Sequence, residues 1–369
     1  MQPHELTYQI ALTMLDGIGD VLAKNLIAYC GSAEQVFKSK SREIEKIPGI
    51  GPVLSASIAN HRSLFERAEK EQRFMDENGI RPLFFTDKEY PQRLRHCHDS
   101  PVMLYYKGTA DLNATRIVSV VGTRTPSAYG KELTEKLIAD LSQSGIVVVS
   151  GLAYGIDVTA HKAALKGGLD TIGVLAHGLD RVYPSVHAPV ATKMLGQGGL
   201  LTEYISDTNP DRENFPSRNR IVAGMCDALV IVESKREGGS LITATIANAY
   251  NKDVFAFPGK VNDALSEGCN GLIKTNKASL MESAADLFYI MNWSAEPKKE
   301  ITPAAHVASS LQPNERKIVE AFSAKPRLHI DEICSVADLP AGTVSACLLQ
   351  LEFANIVASF PGKIYGLKT

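Results

Sequence analysis

Two arginines, an amide and an aromatic ring fall within six residues, Phe215-Pro216-Ser217-Arg218-Asn219-Arg220, just ahead of the apolar run Ile221-Val222-Ala223-Gly224. Guanidinium forks bind phosphate oxygens, and an aromatic face gives a base something to stack on. The set suits a ligand carrying both phosphates and flat bases. The plainer alternative is a structural turn whose arginines pair with Asp211, Glu213 and Asp227 nearby. A second cationic spot, Val121-Gly122-Thr123-Arg124, ends a β-branched run, and Ser127 to Gly130 then opens a helix. Backbone N–H groups and the helix dipole face an anion at such a turn, and Arg124 adds a full charge; its alternative is a salt bridge between domains. A dinucleotide fingerprint would need glycine where Arg124 stands, so NAD is not expected. Gly238-Gly239-Ser240, following Glu233 and opening the helical run LITATIANAY, is a third phosphate-type cradle, or else a loop with Ser240 as helix cap.

Catalytic groups are harder to find. Asp157 and His161 follow the loop Ser150-Gly151-Leu152-Ala153-Tyr154-Gly155-Ile156, but Asp157 reads as a helix-start acid and His161 as a packed helix-face histidine. Glu203 and Glu233 end strands and would be the acids available for hydrolysis, yet no spacing singles them out. There is no G-x-S-x-G and no H-E-x-x-H. The six cysteines are scattered without a C-x-x-C pair, which points to reduced core residues and no metal site.

These residues must be held by a scaffold, and a chain of 369 residues predicts two or three domains. Hydrophobic content of 44% with 22% charged residues describes a globular protein, and no apolar run approaches the roughly 20 residues of a membrane helix. A cytoplasmic location is the expectation. A net charge of −2, balanced region by region, excludes a strongly basic domain, so any polyanion site must be a local cluster.

Residues 1–80 are predicted to be helical, with a repeat in which Gly17-Ile18-Gly19 and Pro48-Gly49-Ile50-Gly51 each open an apolar helix, as in helix-hairpin-helix motifs. Residues 81–290 alternate β-branched runs with helical stretches. Strands are predicted at Ile117–Val121, Ile146–Ser150, Thr171–Leu175, Leu200–Tyr204, Ala228–Val232 and Val254–Phe257, and at Pro82–Phe85 and Val102–Tyr106 in the segment before them. Helices are predicted at Ser127–Ser142, Ile156–Lys166, Val186–Leu195 and Leu241–Tyr250. The pattern implies an α/β fold: a doubly wound, extended Rossmann-like parallel sheet, with ligands at the carboxyl ends of its strands. Residues 291–310 read as a linker. Residues 311–369 read as a winged helix, with helices Asn314–Ala324, Ile330–Val336 and Ala341–Ala354, then a hairpin around Pro361-Gly362. Its third helix has no lysine or arginine, which argues against duplex reading.

Taken in order, VGTRTPSAYG (121–130), SGLAYGIDVTAH (150–161), Gly178-Leu179-Asp180 with Tyr183-Pro184, NFPSRNRIVAG (214–224), GGSLITA (238–244), PGK (258–260) and GCNGLI (268–273) resemble the DNA-processing protein A (DprA, or Smf) family over nearly the whole chain. That resemblance implies a cytoplasmic bacterial homodimer without catalytic activity or cofactor. Such a protein binds single-stranded DNA regardless of sequence and hands it to the RecA recombinase during natural transformation. It also implies a strand-binding set: Gly122, Thr123 and Arg124; Arg212, where relatives can have lysine; Phe215 as the stacking ring; Arg218, Asn219 and Arg220; and Gly239 with Ser240. Phe215 and Arg212 are the expected direct contacts, while Arg218 and Arg220 partly shape the pocket through Asp227 or Glu233. Rival readings are a Rossmann-type nucleotide phosphoribohydrolase and a duplex-binding regulator.

Overall fold

The computed structural model describes residues 5–59, 62–142, 144–293, 312–322, 325, 327–353 and 356–367. Most of the predicted linker (294–310) and the expected helix ends Ala324 and Ala354 lie outside the described residues. The chain forms two units, Met1–Pro297 and Lys298–Thr369.

Six helices lead the first unit: α1 (Glu5–Thr13), α2 (Asp20–Cys30), α3 (Ala33–Lys38), α4 (Ser41–Ile44), α5 (Pro52–Ala59) and α6 (Arg62–Asn78). The repeat seen in the sequence becomes a reciprocal contact. Gly17 (φ +77°) faces the Leu54 side chain and Gly49 (φ +86°) faces Leu22, so closely that a Cβ on either would stand 2.8 Å from the opposing methyl. Only glycine combines that backbone with that approach. Ile18 and Ile50, between the glycines, are buried in the same core. This core also takes in Phe84, Val102, Met103 and Tyr105 from the start of the sheet.

The sheet strands are β1 (Arg81–Phe84), β2 (Met103–Gly108), β3 (Ile117–Val121), β4 (Val147–Ser150), β5 (Thr171–Val174), β6 (Gly198–Thr202), β7 (Ala228–Ile231), β8 (Asp253–Ala256) and β9 (Ser279–Leu280). Their order is β1-β2-β6-β5-β4-β3-β7-β8-β9. From β6 to β9 every pairing is parallel, and β2 and β1 extend the sheet antiparallel. Helices α7 (Gln92–Arg95), α8 (Ala128–Leu141), α9 (Ile156–Lys166), α10 (Ala188–Met194), α11 (Asn214–Met225), α12 (Gly239–Ala249), α13 (Glu267–Lys274) and α14 (Ala284–Ile290) connect them.

Alternation along β3 shows why the strands are apolar throughout. Val118 and Val120 pack with α8, α9 and α14 on one face, whereas Ile117 and Val121 pack with α11, α12 and α13 on the other. A parallel sheet covered on both faces requires this, and each fully buried Val, Ile or Leu contributes about 1.5–3 kcal/mol. The chain winds from β3 out to β6, then crosses back through α11 to β7 on the other side of β3. Strand order therefore reverses at the β3–β7 boundary.

Two differences from the sequence reading have a clear physical reason. β6 starts at Gly198, two residues before the expected strand, because Gly198 and Gly199 are packed too tightly for any side chain. A Cβ on Gly198 would meet the Thr171 backbone, and one on Gly199 the Tyr106 ring. The Phe215–Arg220 segment is also the opening of α11 rather than a turn ahead of it. Pro216 is tolerated there because the first-turn N–H groups have no partner within the helix.

In the second unit, α15 (Pro313–Ala321), β10 (Arg327–His329), α16 (Ile330–Ala337), α17 (Ala341–Phe353), β11 (Val357–Phe360) and β12 (Ile364–Leu367) enclose a core of their own. The strands pair in the order β10-β12-β11. This is the winged helix, with β10 as a strand the sequence did not signal. Among the described residues, no single helix is long and apolar enough to cross a membrane.

Candidate functional site

Where strand order reverses, the loops after β3 and β7 diverge and leave a hollow of about 500 Å³. Gly122, Thr123, Arg124 and Thr125 line it from the β3 loop, Lys235 and Glu237 to Ser240 from the β7 loop, and Ala153 and Asp157 from the segment after β4. α11 closes the side. Its residues Phe215, Arg218 and Asn219 all line the hollow, as positions i, i+3 and i+4 of a helix share a face.

Arg124 is exposed, and its guanidinium lies 5.5 Å from the centre of the Phe215 ring. The ring of Tyr183, 49% exposed, stands 6.1 Å from that of Phe215 at 52°. A cation and two aromatic rings thus meet at the rim. The Arg124 backbone is set by Gly155, which adopts φ +82° directly beneath it. A Cβ there would come within 2.2 Å of the Thr123 carbonyl oxygen and 2.6 Å of the Arg124 carbonyl carbon.

Across the hollow, α12 begins at Gly239, with Gly238 in the capping position. Gly239 is exposed and has nothing within 4 Å of where its Cβ would be, so the backbone at the start of α12 can be approached closely. Ser240 is not the cap that the plainer sequence reading gave it. Its hydroxyl donates to Ser234 Oγ at 2.8 Å, which ties the loop back onto the end of β7.

The two acids offered for hydrolysis are both committed to structure. Glu233 is buried and accepts from the Ser127 N–H (2.9 Å) and hydroxyl (2.5 Å), holding the start of α8. Glu203 accepts from Arg220, which also pairs with Asp20 at 3.0 Å and donates to the Asp99 carbonyl at 2.7 Å. Burial pushes the Glu203 carboxyl up to about 7, against the pull of Arg220. Arg220, 9% exposed, therefore joins α2 to the sheet and does not line the hollow. The sequence had assigned it different acids. Asp227 instead pairs with Arg93 at 2.6 Å and accepts from the Ile117 N–H at 2.9 Å.

Arg218 is 4% exposed and forms the floor of the hollow. Its guanidinium donates to the carbonyls of Gly151 and Val174 at the ends of β4 and β5. Asp157, buried beside it, accepts from the N–H groups of Gly151 (3.1 Å) and Ala153 (3.4 Å). Burial raises the Asp157 carboxyl, and the Arg218 charge opposes that rise. His161 is fully buried, with Nδ1 2.7 Å from the Thr171 hydroxyl. Burial, reinforced by Arg218 and His187, lowers it to about 3, so the ring is neutral. It is a packed histidine, as its helix position indicated.

Arg212 is exposed on the turn before α11 and does not line the hollow. Sequence reasoning gave no role to two groups at the site, Tyr183 and Lys235. Tyr183 had appeared only within a Tyr-Pro pair. Lys235 follows β7 by four residues, and strand-end position was the signal for it. Among the described residues no cluster of His, Cys, Asp or Glu could hold a metal.

Residues 81–292 match the family model described as DNA recombination-mediator protein A, and residues 302–363 match the DprA winged helix domain. Protein Smf of Synechocystis sp. is 32% identical over 400 residues, covering 99% of each chain. The crystal structure of DNA processing protein A from Streptococcus pneumoniae is 33% identical, with a TM-score of 0.67 over 78% of this chain and 98% of its own. DNA processing protein A from Helicobacter pylori, solved for its single-stranded DNA binding mode, is 29% identical. Its TM-score is 0.53, over 58% of this chain and 95% of its own.

Proposed function

Since the chain belongs to the DNA recombination-mediator protein A (DprA/Smf) family, we propose that it binds single-stranded DNA across the rim of the β3–β7 hollow. The observation that carries this reading is the meeting of Arg124 with the partly exposed ring of Phe215, opposite the N-terminus of α12. A strand offers alternating phosphates and flat bases, and the rim offers a cation and N–H groups for the first and aromatic faces for the second. In this reading Arg124, Gly122, Thr123, Asn219 and Gly239 approach phosphate, and Phe215 stacks on a base. Arg212 reaches the strand where it leaves the hollow. Arg218 supplies charge from the floor, Ser240 holds its loop in place, and Arg220 acts by fixing the N-terminal helices to the sheet.

Binding without catalysis fits the spent state of Glu203 and Glu233 and the neutral burial of His161. The family resemblance extends the reading to protection of incoming strands and delivery to the RecA recombinase. It also implies a cytoplasmic homodimer. The residue pattern along the chain supports a division into a helical domain (1–80), a sheet domain (81–290), a linker (291–310) and a winged module (311–369). Sequence independence is favoured because cations, backbone N–H groups and aromatic faces suit phosphates and base faces, which every nucleotide shares.

Fluorescence anisotropy with labelled oligo-dT and a duplex of equal length tests the reading. Tighter binding of oligo-dT is expected. Duplex preference, or release of free base from nucleoside monophosphates, would replace it with the regulator or the nucleotide-hydrolase reading respectively.

A further inference from the structure

Arg124 and Thr125 border a second hollow, of about 440 Å³, on the opposite side of the β3 loop from the first. It lies between α8 and α9, which pack side by side. Lys131 from the first turn of α8, Lys162 from α9 and Tyr154 from the loop before α9 line it. Both lysines are exposed, and among the described residues neither they nor Arg124 form an ion pair. Glu135 is the one acid in the lining, so the hollow presents three cations against one anion.

Tyr154 is 51% exposed, yet its ring is not loosely placed. It stands edge-on to the His187 ring, with centroids 5.0 Å apart at 66°. His187 is buried, and its Nδ1 is 2.9 Å from the Leu152 carbonyl oxygen. An aromatic surface is therefore held in place beside a cluster of unpaired cations. The first hollow has the same composition: a fixed ring, a shared arginine and an open flank. A mononucleotide would be accommodated by one such site. Two joined through a common arginine suit a ligand that continues from one to the other.

We propose that this second hollow is a further subsite for the same single strand, with Tyr154 stacking on a base and Lys131 and Lys162 holding the phosphates beside it. The proposal rests on the single-strand reading of the first hollow. Arg124 then stands at the phosphate that passes from one hollow to the next, and the strand runs from α11 over the β3 loop onto α8 and α9.

Oligo-dT of about 4 and about 12 nucleotides, spanning the usual range of single-strand site sizes, separates the subsites. Wild type, Tyr154→Ala, Tyr154→Phe, the double variant Lys131→Ala/Lys162→Ala and Phe215→Ala are titrated with each length at several salt concentrations. Tyr154→Ala is expected to weaken the long oligonucleotide by about 5- to 150-fold, the loss of one base stack. Tyr154→Phe should retain wild-type affinity. The double lysine variant should flatten the salt slope for the long oligonucleotide by about 0.7 per lysine. Binding of the short oligonucleotide, held in the first hollow, should be unchanged in all three and so also reports an intact fold. Wild-type binding of the long oligonucleotide by Tyr154→Ala and by the lysine variant would overturn the proposal, as would equal losses for both lengths. If wild type binds neither length, or Phe215→Ala binds both normally, the reading of the first hollow is what fails.

Discussion

Replacing Phe215 with alanine removes a ring that has two roles in the proposed interface. It offers a stacking face, worth about 1–3 kcal/mol per base. It also lies 5.5 Å beneath the Arg124 guanidinium, a contact worth about 0.5–1 kcal/mol at an exposed site. Because the ring is only partly buried, its loss should leave the fold intact. The combined cost in binding is about 1.5–4 kcal/mol, or roughly 10- to 900-fold in Kd. Arg124→Ala should weaken binding too, but with a different signature. The log–log salt slope should become less steep by about 0.7, the value for one phosphate contact on a single strand. Phe215→Ala should keep the slope. In the double variant the losses should sum to less than the two singles, by about 0.5–1 kcal/mol, because each single change already disrupts the shared contact. Anisotropy titrations of labelled oligo-dT at four or more salt concentrations read all three quantities. Binding by Phe215→Ala within twofold of wild type would refute the stacking argument, and an unchanged slope in Arg124→Ala would refute the phosphate contact.

Gly155→Ala should damage the site from beneath, since its Cβ would strike the Thr123 and Arg124 backbone at a positive φ. A stability loss of about 1–3 kcal/mol and weakened oligo-dT binding are expected by thermal melting and anisotropy, and an unaffected variant would show that the loop gives way. Arg220→Ala strands Glu203 and Asp20 without their cation. The expected cost is about 3–5 kcal/mol by denaturant unfolding, with no change in the salt slope of binding at temperatures where the variant is folded. His161 is held neutral, down to about 3, whereas the unfolded chain takes up a proton at its ordinary value of 6.5. The group's stability contribution is therefore complete above about 6.5 and is lost as pH falls toward 3, by a few kcal/mol. Denaturant unfolding across that range should show the loss, and His161→Gln should flatten the profile. A wild-type stability that does not fall over that window would contradict the burial argument.

The sheet was readable because its strands are covered on both faces. β3 begins and ends where its β-branched run does, and α9 spans the expected Ile156–Lys166. Where packing depends on the absence of a side chain, the pattern misleads. Gly198 and Gly199 look like loop residues, yet they are strand residues pressed against Thr171 and Tyr106. The start of α11 was hidden by Pro216, a helix breaker everywhere except in a first turn. That misplacement had a consequence at the site, since helical spacing turns Phe215 and Asn219 toward the hollow while Arg218 runs beneath it and Arg220 is buried. The charge partners were not readable either. Arg220 pairs with Asp20, 200 residues away in the chain, and no local pattern encodes a contact at that separation. What did show in the sequence was the gathering of small residues and cations at strand ends, because parallel topology brings those ends to one edge.

Photo-cross-linking of a 5-bromodeoxyuridine-substituted single strand to the full chain, with adducts located by mass spectrometry, tests the placement of the strand most directly. Adducts on the segments carrying Tyr183 and Phe215, lost when excess unlabelled oligo-dT is added, are the expected result. Adducts confined to α17 of the winged helix or to the N-terminal helices, with none on those two segments, would contradict it.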